Sequence, residues 1–132
     1  MSVHQVTRLP AAFSRIQLEL AREPGHPAGD HGVGYTILAP LTADGHLDVE
    51  TARRHREACK VIRFRVGEDA QDGYLRRRPG GSWAFHYDLA NGAEDDDPGF
   101  RLGEHRFAPG EYVTVIEDEG AHTYRVASVE PL

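Results

Sequence analysis

Cysteine, tryptophan and methionine each occur once in the 132 residues. A lone Cys59 can form no intramolecular disulfide and no cysteine-based metal cluster within one copy, which fits a reducing compartment. Long apolar runs are missing too. Segment 1–10 has no uninterrupted apolar stretch of the signal-peptide kind, so a cytoplasmic chain without membrane contact is expected. The formal net charge of −6 disfavours nucleic acid as a partner, because counterion release requires a positive surface. Neither a Gly-x-x-x-x-Gly-Lys phosphate loop nor a strand–Gly-x-Gly–helix fingerprint is present, which argues against nucleotide-cofactor enzymes, and no cofactor is expected. His-Glu-x-x-His, paired-cysteine and EF-hand spacings are equally missing.

What is present reads as β structure. Hydrophobic residues at 39% and charged residues at 27% are globular values, and the length suits one domain over 1–132, with 1–10 as a loose terminus. In 14–20, Ile16, Leu18 and Leu20 alternate with Arg15, Gln17 and Glu19, the period of a half-buried strand. Segment 23–34 is so rich in glycine and proline that a long loop is expected, followed by a strand over 35–41 and a turn over 42–46. Asp48 can cap a short helix reaching about Cys59, with Glu50 at its positive end, arginines toward its negative end, and Val49, Ala52, Arg56 and Cys59 on one face.

Strand patterns then recur at 61–66, 73–78, 82–88 and, after an acidic loop at 91–99, at 100–107. Ala108, Pro109 and Gly110 make a turn of the type that needs positive φ at glycine, and 111–117 with 122–129 form a hairpin. The fold class expected is mostly β with one short helix, an antiparallel small barrel or curled sheet, with an SH3-like barrel among the options. A sandwich is the competing arrangement.

Residues 31–35 (His-Gly-Val-Gly-Tyr) with 39–41, 79–88 (Pro-Gly-Gly-Ser-Trp-Ala-Phe-His-Tyr-Asp), 107–113 and 123–129 resemble a family of small uncharacterised bacterial proteins, and 107–126 resembles the turn-plus-hairpin of SH3-like barrels. The family resemblance implies a bacterial, cytoplasmic setting and carries over no activity or site residue.

Three groups of residues could carry chemistry. In 82–88, Trp83, Phe85 and Tyr87 share one strand face and Ala84, His86 and Asp88 the other. The plain reading puts the aromatics in the core and His86 with Asp88 in water; the functional one has Asp88 orienting His86 in a groove, with His105 nearby, as acid, base or ligand. Glu23, His26, Asp30 and His31 crowd one loop and could meet a metal, but without a recognised spacing no metal ligand is assigned. Arg76, Arg77 and Arg78 precede Pro79-Gly80-Gly81, and guanidinium forks suit phosphate or carboxylate, with Trp83 alongside. In a strand, Arg76 and Arg78 point together and Arg77 opposes them.

Charge is also unevenly placed: 53–78 holds nine basic residues against four acidic ones, and 93–132 holds three against ten, so mutual pairing of these segments is expected. Cys59 is either a small buried hydrophobe or, among basic neighbours, a reactive thiol. No complete catalytic set is visible. The chain is therefore read as a non-enzymatic binding module with Arg76, Arg78, Trp83, His86, Asp88 and His105 as candidate ligand-binding residues. The expected partner is a protein or a second copy of the chain, with an anionic ligand as the second choice. The alternative is a small metal-binding protein or enzyme built on His86, Asp88 and His105.

Overall fold

The computed structural model describes residues 13–23, 27–77, 83–88, 94–99, 105–117 and 120–132. Eight antiparallel strands follow one another round a closed barrel: β1 (Phe13–Leu20), β2 (Asp30–Pro40), β3 (Lys60–Phe64), β4 (Gln71–Arg77), β5 (Trp83–Asp88), β6 (Glu94–Gly99), β7 (Tyr112–Glu117) and β8 (Gly120–Pro131). Each pairs with its sequence neighbour, and β8 returns to β1, with Ile16 opposite Val129 and Leu20 opposite Tyr124. The barrel is thus realised rather than a sandwich, and the pairing of the first and last strands removes the edges an open sheet would present. The narrowest seam is β6–β7, which is joined at Gly99 and Val115.

Alternation decides what fills the interior. Ile16, Leu18, Leu20, Tyr35, Ile37, Val61, Leu75, Phe85, Val113, Val115, Tyr124 and Val126 are buried in one cluster. Such a side-chain-filled interior is what a small barrel allows. Tyr35 packs on Phe85 with ring centroids 4.8 Å apart, and edge-on against Tyr124 at 5.1 Å. Among the described residues no helix is long and apolar enough to cross a membrane.

One end of the barrel is plugged by the segment between β2 and β3. Asp48 caps α1 (Val49–Arg54) as its sequence predicts, accepting from the Thr51 amide at 3.1 Å. The helix stops sooner than the expected reach to Cys59: His55 leaves helical geometry at φ −126°, and a 3₁₀ turn (Arg56–Ala58) completes the segment. Leu47, Ala52 and Cys59 enter the core, whereas Arg56 of the expected apolar face is exposed. The Cys59 thiol is buried, and desolvation pushes its pKa up to about 11, so the small-hydrophobe reading holds and the reactive one does not.

Two boundaries differ from the sequence reading for the same reason. Segment 30–34, read as loop, forms the start of β2, and Gly34 lies against the Leu18 carbonyl where any Cβ would collide with backbone. Here glycine permits close strand approach rather than breaking the strand. Segment 94–99, read as an acidic loop, is β6, paired from Trp83–Gly99 to Asp88–Glu94, while the strand expected over 100–107 is not seen at 105–107. An open edge of β5 beside a closing barrel outweighs the poor strand propensity of Asp and Pro. The turn at Ala108 is as expected: Gly110 has φ +92° and the Glu111 amide donates to the Ala108 carbonyl at 3.0 Å.

Candidate functional site

The two ends of the barrel carry its polar chemistry. At the helix-plugged end, a cleft of about 710 Å³ opens between α1 with its 3₁₀ turn and the adjoining ends of β4 and β5. Strand alternation places Tyr74 and Arg76 on the outside of β4, opposite His86 and Ala84 of β5, and Leu75 and Trp83 on the inner side where the strands run out beneath the helix. Leu75 and Trp83, each 5% exposed, form the apolar floor, and Tyr74 stands at the side, 41% exposed. Arg53, Arg54, Arg56, Glu50 and Glu57 form the helical rim.

The four arginines differ in their engagements. Arg53 is 3.6 Å from Glu50, a surface pair of small energetic consequence. Arg54 and Arg56 make no ion pair with any described residue. Arg76 Nη1 donates to His86 Nδ1 at 3.1 Å. Because guanidinium only donates, His86 Nδ1 is the acceptor in this contact. The contact ties Arg76 of β4 to His86 of β5 in the cleft lining.

Of the six residues singled out from sequence, the structure brings Arg76, Trp83 and His86 to this one cleft. Arg78 and the side chain of Asp88 lie outside the described residues, as does His26 of the histidine-rich loop. His105 is not among the residues lining the cleft; it sits next to Arg106, which bridges to His46 on another loop. His86 thus lines this cleft and His105 does not. Arg53, Arg54, Arg56 and Tyr74 join the site without having been singled out, since only the docking of α1 onto β4 brings them there.

At the opposite end lies a site that sequence reasoning missed. Glu117 is buried with its side chain fully covered, and its carboxylate accepts from Tyr35 Oη at 2.7 Å, from Tyr124 Oη and from Arg65 Nη2, with Arg63 4.0 Å away. Burial alone would raise the Glu117 pKa, but the two phenols and the Arg65 guanidinium outweigh it and hold the carboxyl below its ordinary value. Burial and the adjoining carboxylate push the Tyr124 phenol upward. Arg63 and Arg65 with Glu117 realise, in one buried cluster, part of the pairing expected between the basic and acidic segments.

Near this end the histidine-rich loop is used structurally. His122 Nδ1 meets Glu23 Oε1 at 3.0 Å and His31 Nδ1 meets Glu19 Oε1 at 2.6 Å, so Glu23 and His31 are drawn to different partners. Among the described residues no group of three or more His, Cys, Asp or Glu side chains could hold a metal ion.

No family model matches the chain, and neither a curated protein nor a solved structure matches it.

Proposed function

We propose that this chain is a non-enzymatic binding module that holds an anionic group in the cleft between α1 and β4–β5. The observation carrying this reading is the convergence of four arginines from three elements on one aromatic-floored cleft in a molecule of net charge −6. A volume of about 710 Å³ lies in the range of ligand sites, and a local positive field on an acidic surface steers an anion to this place in preference to the rest of the molecule. Arginine forks bind carboxylate or phosphate through paired hydrogen bonds.

A protein partner is favoured over a homodimer formed edge to edge, because the terminal strands β1 and β8 already pair with each other. A reducing, cytoplasmic setting fits the single buried thiol. The described lining offers guanidinium donors and aromatic surface but no serine, threonine or cysteine nucleophile, which favours binding over covalent chemistry.

Calorimetric titration with citrate, tripolyphosphate and pentaglutamate tests the reading. At least one probe should bind saturably, and charge reversal of both Arg54 and Arg76 (to Glu) should weaken it about tenfold or more without altering the melting temperature. Equal binding by wild type and double variant would sink it.

A further inference from the structure

Resting on that binding reading, we propose that the occupant is a short acidic peptide segment of a partner protein, extended across the cleft with one aliphatic side chain against Leu75 and Trp83. The cations are spread over three elements, α1 (Arg53, Arg54), the 3₁₀ turn (Arg56) and β4 (Arg76), rather than gathered at one point. Two glutamates, Glu50 and Glu57, stand on the same rim. A compact, multiply charged anion would draw several guanidinium groups to one spot and would meet the full repulsion of both glutamates. Singly charged carboxylates spaced along a chain can each meet one guanidinium and leave the glutamates to solvent.

An extended chain advances about 3.3 Å per residue and sends alternate side chains to opposite sides, so acidic side chains can reach the rim while an intervening apolar one turns to the floor. That floor is apolar: Ala52, Leu75 and Trp83 line it, with the half-exposed ring of Tyr74 beside them. The cleft volume of about 710 Å³ exceeds what a phosphate alone could fill and suits several residues. Charge complementarity fixes the sign of the partner. An acidic segment is repelled by the acidic remainder of the surface and attracted here.

Trp83 is the only tryptophan in the chain, so its emission reports occupancy of the cleft directly. The full chain is titrated with four probes: the end-capped pentapeptide Glu-Glu-Leu-Glu-Glu, pentaglutamate, Lys-Lys-Leu-Lys-Lys and inorganic phosphate. The acidic leucine peptide should shift Trp83 emission and bind about tenfold more tightly than pentaglutamate, the discrimination that one buried apolar side chain provides. The basic peptide should leave the emission unchanged. R76E should weaken the acidic leucine peptide about tenfold, with R54E on the exposed helix face as the second variant if R76E lowers the urea midpoint. If pentaglutamate or phosphate binds as tightly as the leucine peptide, the peptide proposal is overturned while the anion-binding reading stands. If no probe moves Trp83 emission and neither variant changes any affinity, both fall.

Discussion

Replacing Glu117 with glutamine keeps the shape of the buried hub and removes its charge. In the native protein this carboxylate accepts from two buried phenols and from Arg65, whose side chain is 22% exposed, with Arg63 4.0 Å away. Breaking a buried pair by removing one partner costs about 3–5 kcal/mol. Here the lower end applies, about 3 kcal/mol, because Arg65 retains some hydration and the amide oxygen can still accept from one tyrosine. For a chain of this length that corresponds to a melting temperature lower by roughly 10 °C. Urea unfolding followed through Trp83 fluorescence measures the difference.

The pH dependence gives a second check on the same hub. The Glu117 carboxyl is held below its ordinary value of 4.5 in the folded state, so its contribution is complete above that value and is lost as pH falls below it toward the folded value. The stability gap between wild type and E117Q should therefore be constant above about pH 5 and shrink as the pH drops further. A gap below about 0.5 kcal/mol at neutral pH, or one that stays constant down to pH 3, would refute the reasoning.

Three further outcomes are expected. Gly34→Ala should destabilise the barrel by about 3 kcal/mol in a thermal melt, because the new Cβ meets the Leu18 backbone carbonyl, which is fixed in the β1–β2 ladder and cannot move aside. Asp48→Ala should cost about 1 kcal/mol and raise amide exchange over 49–54 selectively, since its carboxylate caps the Thr51 amide. Cys59, with its thiol raised to about 11, should resist a thiol-specific reagent in the native protein and react promptly in urea; prompt native reaction would contradict its burial.

Elements with a clean period and defined turn chemistry were legible in the sequence. The alternation of Ile16, Leu18 and Leu20, the cap at Asp48 and the Pro109–Gly110 turn depend on neighbours in the chain and stand where local chemistry puts them. What could not be read depends on long-range pairing. Nothing local marks Asp95, Asp96 and Asp97 as strand; only the adjoining edge of β5 does. Gly34 looks like a loop residue until the Leu18 carbonyl of β1 is set against it.

The same division runs through the candidate sites. The sequence marks Trp83 and His86 by the alternation of aromatics and histidine within one strand, and Arg76 by three arginines adjoining a glycine turn. Arg54 and Arg56 joined them only through the docking of α1. Glu117 was detectable in principle: it continues the inward register of Val113 and Val115, so a carboxylate falls on a core-facing position and requires buried donors. Tyr35 of β2 and Tyr124 of β8 supply them.

The reading of the cleft as an acidic-peptide site is tested most directly by mapping amide chemical shifts of the full chain during titration with the acidic leucine pentapeptide. It predicts saturable shifts confined to 50–57, 74–76 and 83–86, absent in the variant with both Arg54 and Arg76 reversed to Glu. Shifts centred instead on the opposite barrel end around Arg65, Glu117 and His122, or none at millimolar peptide, would contradict it.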